Sequence, residues 1–362
     1  MDRKNIHIIY GDNPKEMVKN LLKDANIVEE INRNALIGLK PNLVVAKKAS
    51  SGATTTPEIV EGLIEYLHEN GRKNIVIIEG SWVGDRTSKA FKVCGYDEIS
   101  KKYNVPLYDL QKDSYHSYSV EGMNINVCEK AMEVDYLINL PVFKGHCQTK
   151  MTCSLKNMKG CIPDTEKRKF HSRGLHKPIA YLNRILKQDL IIVDGLNGDL
   201  TFEEGGTPVK MDRILLGKDP VLMDSYICEL MGYKVEDVPY ITQAENIGVG
   251  TCDVENAVIK ELNQAKNRID LSANSGTVER LTKNVQAESA CSACYGSLVH
   301  ALNRIEEKGQ LNKIKEKIYI GQGFKGKEGK GIGIGMCTKG FSKCIKGCPP
   351  KAIDIIEGIL EK

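Results

Sequence analysis

Two neighbouring stretches decide the fold: Ala35–Val45, ALIGLKPNLVV, and Thr56–Glu79, TPEIVEGLIEYLHENGRKNIVIIE. The first reads as a strand interrupted by Pro41. In the second, Thr56 is a good N-cap and Pro57 suits the first helical position. Ile59, Val60, Leu63, Ile64 and Leu67 then fall on one helical face, and Gly71 closes the helix. Asn74–Glu79 is a short apolar run of the kind buried on both faces of a sheet. Strand, helix, strand in this order is a crossover unit and predicts a parallel pair.

The alternation continues in both directions. Asn5–Tyr10, Leu107–Leu110, Tyr136–Val142, Leu190–Val193 and Met211–Leu216 read as strands. Pro14–Lys23, Pro178–Lys187 and Pro220–Met231 read as helices. The fold class is therefore α/β, with a large, mainly parallel sheet. From Gln264 to Ala290 the pattern loosens into polar and small residues. Beyond it, Cys291–Lys308 and Pro349–Leu360 read as helices, and Lys317–Ile320 and Gly331–Gly335 as short strands. The expected organisation is a large α/β domain over 1–270 and a small cysteine-rich α/β domain over 285–362, in line with the size of the chain.

Net charge is only +4, and no nucleic-acid module or interleaving of aromatic with basic residues is visible, so nucleic acid is not an expected partner. The charge is unevenly spread. Lys144–Lys187 holds eleven Lys or Arg against Asp164 and Glu166, and Lys313–Lys351 holds ten Lys against Glu316 and Glu328. No apolar run approaches a membrane span, and Met1-Asp-Arg-Lys does not open a signal peptide. A soluble, cytoplasmic protein is expected, in which twelve cysteines serve as ligands or buried thiols rather than disulfides.

Five of those cysteines lie near the C-terminus: Cys291, Cys294, Cys337, Cys344 and Cys348. Cys291-Ser-Ala-Cys294 opens a predicted helix, where free amides and a partial positive charge favour thiolates. Cys337 follows a glycine-rich strand as Gly335-Met336-Cys337, and Cys348 sits in Gly347-Cys348-Pro349-Pro350. Thiolates select iron–sulfur clusters, zinc or copper(I). Structural zinc on the same residues, or free thiols in a small core, are the plainer alternatives. The unit is small enough for a metal to matter to its stability. Its lysines could offset a cluster's negative charge and dock an acidic redox partner, or form an ordinary solvated face.

The combination of CxxC, Gly-x-Cys and Gly-Cys-Pro-Pro resembles the proximal-cluster site of nickel–iron hydrogenase small subunits, and the Gly-Cys-Pro-Pro motif of the related NADH:quinone oxidoreductase subunit. The likeness is confined to the ligand motifs, with much shorter spacings here. It implies a 4Fe–4S cluster on Cys291, Cys294, Cys337 and Cys348, leaving Cys344 as the alternative ligand.

Three segments of the large unit concentrate unusual chemistry: Lys40-Pro41-Asn42-Leu43; Leu140 to Gly160, with Lys144-Gly-His146 and Lys156-Asn157; and Asp194-Gly195, followed by Gly205-Gly206 and Asp219 to Asp224. Together, over about residues 35 to 235, they resemble the bacterial and archaeal family called domain of unknown function 362. That family is often associated with iron–sulfur domains; the likeness implies no catalytic role. Lys144, His146, Lys156, Asn157, His171 and Asp194 are the candidate pocket residues. Polar groups just beyond strand ends sit where α/β sheets bind ligands, and the cations suit a small anion. Against this, Asp194 and Asp224 could merely cap, a lone His is more often structural, and the basic stretch after Lys159 could be a mobile loop. Cys147, Cys153 and Cys161 match no common metal motif, and Cys94, Cys128, Cys228 and Cys252 read as core. The glycines at 321–323 and 331–335 lack the helix and acid of a dinucleotide fingerprint. Two functions follow: electron transfer to a redox partner protein or small anionic substrate, or a non-redox enzyme on such a substrate with a structural metal.

Overall fold

The computed structural model describes residues 1–267, 269–273 and 275–361. Its larger sheet has eight strands. In spatial order they are Val258–Glu261, Asn5–Tyr10, Pro208–Gly217, Leu190–Asp199, Tyr136–Leu140, Ile37–Pro41, Ile75–Glu79 and Leu107–Asp109. The last five run parallel, as the crossover pattern requires. Pro208–Gly217 is antiparallel to both neighbours. It and Leu190–Asp199 form one long hairpin, and a direct hairpin connection allows no other direction.

The central strands Ile37–Pro41, Ile75–Glu79 and Tyr136–Leu140 are buried at every position. Successive side chains serve opposite faces. Ile75 and Ile77 join Val18, Leu21, Ile59 and Leu63 on one side. Val76 and Ile78 join Ile179, Leu182, Val221 and Ile227 on the other. Helices thus cover both faces, which is why these strands read as continuous apolar runs.

The smaller sheet is wholly parallel, in the order Val285–Ala287, Ile318–Ile320, Glu328–Ile334, Gly340–Ile345. Helices Ser292–Glu307 and Ala352–Leu360 pack on it through Leu298, Leu302, Ile305 and Ile355, against Ile318, Ile320, Ile332, Ile334 and Ile345. Arg268 and Asn274, in the stretch expected to join the two units, lie outside the described residues. Among the described residues no helix is long and apolar enough to cross a membrane.

Three contacts seat the smaller sheet on the larger. Gln148, in the turn between strands Lys144–His146 and Lys150–Thr152, donates to Ala290 O at 2.8 Å and accepts from Ser292 Oγ at 2.8 Å. Phe202 stacks on His300 with ring centroids 3.8 Å apart. Gly296 leaves room for the Glu204 carboxylate, 3.0 Å from where a Cβ would stand.

Asp194 belongs to the scaffold. Its buried carboxylate accepts the Thr56 N–H at 2.7 Å and the Leu196 N–H at 3.0 Å. The Thr56 hydroxyl makes no capping bond, so the carboxylate from a neighbouring strand holds the start of helix Pro57–Glu69. Asp194→Ala leaves two N–H groups without their acceptor and is expected to cost roughly 2–4 kcal/mol in denaturant melts. Unchanged stability would remove this role.

Candidate functional site

The site is built at the C-terminal ends of the large sheet's strands, where α/β folds place ligands. Ile37–Pro41 ends beside Ile75–Glu79, and Lys40 and Glu79 at these ends form a buried ion pair. Lys40 Nζ lies 2.9 Å from both Glu79 carboxylate oxygens and donates to Pro41 O at 2.8 Å. Glu79 also accepts the Leu43 and Gly80 N–H groups at 2.8 and 2.7 Å. Buried charges are tolerated when paired and bonded in this way. A chain of buried amides runs across the strand ends: Asn42 to Asn157 at 2.7 Å, Asn157 to Asn139 at 2.7 Å, Asn139 to Gln188 at 2.6 Å.

Lys156 and Asn157 stand on the one-turn helix Ser154–Asn157. Asp224 fixes its start, accepting the Ser154 and Leu155 N–H groups at 2.8 and 3.2 Å and the Ser154 hydroxyl. Burial pushes the Asp224 carboxyl up to about 7.

Glu203, which the sequence reading missed, organises the basic residues. It lies in the loop between Leu190–Asp199 and Pro208–Gly217. Asp199 fastens that loop by accepting N–H groups of Thr201, Phe202 and Thr207 at 2.9, 2.8 and 2.9 Å. Glu203 Oε1 accepts from Lys156 Nζ at 2.6 Å. Its Oε2 lies 2.8 Å, obliquely, from His146 Nε2. His146 Nδ1 accepts the Gln148 and Thr149 N–H groups, which leaves the ring proton on Nε2. Burial alone would raise the Glu203 carboxyl, but Lys156, His146 and Lys144 hold it well below the usual carboxylate range. Burial in turn lowers the Lys144 amine to about 8 and the His146 ring to about 4.

This corrects the expected pocket. Lys144 spends its amine on Asn42 Oδ1, Ala53 O and Glu203 O, at 2.9, 2.5 and 3.0 Å. Lys144, His146 and Asp194 do not line the main cavity. The anion that Lys144, His146 and Lys156 gather around is the chain's own Glu203.

Lys156, Asn157 and His171 do meet in one cavity of about 400 Å³. Its opposite wall is Cys291, Cys294, Cys337 and Cys348, with Pro349, Gln322 and Lys325. Glu79, Trp82, Lys159, Lys167 and Arg168 complete the large-sheet side. The basic stretch after Lys159 is ordered, as helix Asp164–Ser172. Burial, then Lys159 and Lys156, lower the His171 ring to about 2, so it is neutral at physiological pH. Burial and the Lys156 charge likewise lower the Lys159 amine to about 7.

The cysteines reach this wall because every strand of the small sheet ends there. Cys291 and Cys294 flank the start of helix Ser292–Glu307. Cys337 and Cys348 follow Glu328–Ile334 and Gly340–Ile345 through Gly335 and Gly347, whose φ values of 86° and 140° disfavour other residues. Gln322 Nε2 donates to Cys291 Sγ at 3.5 Å. Burial, then the thiols of Cys291, Cys348 and Cys337, push Cys294 up to about 12. Cys344 faces Gly335 O at 3.7 Å and does not line the cavity. Cys153 and Cys161 are buried in the large core, while Cys147 packs against the small one. Among the described residues, no three His, Cys, Asp or Glu side chains are gathered tightly enough to hold a single metal ion.

Fold and site define an α/β protein with a thiol-walled cavity at its strand ends. The chain belongs to the family described as Domain of unknown function (DUF362), whose model matches residues 37–229. It is 24% identical, over 235 residues, to a thylakoid-associated protein of Synechocystis, covering 60% of this chain and 69% of that one. Among solved structures, the lactate racemase apoprotein of Thermoanaerobacterium thermosaccharolyticum overlaps 53% of this chain at 14% identity, TM-score 0.37. A Thermotoga maritima protein from a structural genomics programme overlaps 61% at 16% identity, TM-score 0.40. The chain spans 52% and 60% of those two structures.

The Lys156–Glu203 pair should be strongly coupled. A double-mutant cycle with Lys156→Met and Glu203→Gln is expected to give about 2 kcal/mol or more. Additive effects would show that the two side chains act independently.

Proposed function

We propose that this chain is a 4Fe–4S iron–sulfur protein that passes electrons between a partner protein and a small anionic substrate. Cys291, Cys294, Cys337 and Cys348 would hold the cluster. The observation that carries this reading is that these four thiols, without Cys344, line the same cavity as Lys156, Asn157 and His171. The donor set suits the group: four thiols from turns at one edge of a parallel sheet, arranged around a cavity, as a core taking one thiolate at each iron asks. When bound, such a cluster supplies one-electron chemistry at the cavity wall.

The chain's own groups have distinct tasks in this reading. Gln322 directs an N–H at Cys291, a hydrogen bond of the kind that tunes cluster potential. Burial, then the Cys337 and Cys348 thiols, raise the Cys291 thiol, and the Lys325 charge opposes that rise. Cys348 is exposed, as are Lys325, Lys346 and Lys351, so a partner with an acidic face would approach there. On the other wall, the paired Lys156–Glu203 and Lys40–Glu79 keep Asn157 and its amide chain in place.

Anaerobically purified protein is expected to hold about four irons and four sulfides per chain, with a visible absorbance that bleaches on reduction. Cys291→Ala, Cys294→Ala, Cys337→Ala and Cys348→Ala should each lose it, and Cys344→Ala should keep it. One tightly bound zinc and no sulfide would contradict the reading.

A further inference from the structure

The cavity wall opposite the cysteines carries buried polar atoms that no group among the described residues satisfies. Trp82 Nε1 and His171 Nδ1 are buried without a hydrogen-bond partner, and both residues line the cavity. Lys159, also on the wall, has no ion-pair or hydrogen-bond partner among the described residues. A buried donor left without an acceptor is unfavourable, so such atoms in one cavity point to a ligand. Trp Nε1–H can only donate, and so does the Lys159 amine in its protonated form. The missing partner is therefore an acceptor.

The cations on this wall favour an anion, whose charge would in turn hold the proton on Lys159. Of the cavity's charged groups, Glu79 is paired with Lys40, Glu203 with Lys156, and Lys167 with Asp164. Lys325 lies beside Cys291 on the thiol side. Lys159 and Arg168 remain without a carboxylate partner among the described residues. The rest of the space is partly apolar, lined by Val44, Val83 and the Trp82 ring, and about 400 Å³ suits a small molecule.

We propose that Trp82 Nε1, Lys159 Nζ and His171, in the tautomer with its proton on Nδ1, form an oxyanion seat. It takes the carboxylate or phosphate end of a small substrate whose apolar body lies across the cavity towards the cysteines. This rests on the redox reading for the substrate's fate, but the seat itself is independent of any metal. Glu203 occupies the neighbouring cations, which is why the seat is formed by these residues and not by Lys144 and His146.

Trp82 is the sole tryptophan, so its fluorescence reports the seat directly. The full chain, anaerobically purified, is titrated with benzoate, acetate and inorganic phosphate, each against chloride at matched ionic strength. Iron and sulfide are assayed on the same samples. At least one oxyanion should give a saturable emission change that chloride does not. Tighter benzoate or acetate assigns a carboxylate; tighter phosphate assigns a phosphate. Calorimetry should show that Lys159→Met weakens that anion at least ~10-fold, as loss of a charge-assisted contact does. Trp82→Phe, which keeps the ring and loses the N–H, should weaken it measurably, and Lys187→Met, at a side chain 77% exposed, should not. Absence of binding by all three probes overturns the seat, as does binding unchanged in both Lys159→Met and Trp82→Phe. Binding in protein that carries neither iron nor sulfide upholds the seat and rejects the redox reading.

Discussion

The Glu203 carboxylate is the constraint on which the rest of the site depends. It comes from a hairpin loop, and the cations around it come from the Lys144–His146 strand and the Ser154–Asn157 helix. One largely enclosed anion thereby fastens two segments about fifty residues away in sequence to the same point. Lys144 bonds to the Glu203 carbonyl and to Asn42, extending the network to the end of a central strand. With one partner removed, the remaining charges would be buried unpaired, so the arrangement is held as a unit.

The loop that bears Glu203 and the turn after the Lys144–His146 strand also carry the smaller sheet. Phe202, next to Glu203, stacks on His300, and Gln148, two residues beyond His146, bonds to both Ala290 and Ser292. The electrostatic fastening of the loop and the seating of the cysteine-bearing helix are thus one structure. The shared cavity follows, because both sheets present the C-terminal ends of their strands to it. A glycine-rich sheet ending in thiols, set against a basic wall already neutralised in part by its own carboxylates, leaves a small set of unpaired donors for a ligand.

Much of this was legible in the sequence. The apolar runs 37–41, 75–79 and 136–140 announced a parallel, doubly covered sheet, because strands buried on both faces cannot alternate. The turns bearing Cys337 and Cys348 were marked by their glycines. The exposed hairpin Tyr115–Val120 and Met123–Cys128 was not, since it buries too little on its outer strand to leave a period-two pattern. Nor was the division of the basic residues between scaffold and cavity. Charge type and spacing give no sign that Lys144 bonds to internal oxygens and His146 meets an internal carboxylate while Lys159 lines the cavity. Glu203 sits in an unremarkable Glu203-Glu204-Gly205-Gly206 loop, and only the hairpin brings it under Lys156. Trp82, directly after a central strand, was the available signal for the cavity wall.

The central claim is that the two sheets enclose one redox site. Anomalous diffraction at the iron edge from anaerobically grown crystals tests it most directly. The account predicts a compact multi-iron peak in the cavity bounded by Cys291, Cys294, Cys337 and Cys348, facing Trp82, Lys159 and His171. Iron bound elsewhere, or a single zinc peak among these thiols with no iron signal, would contradict it.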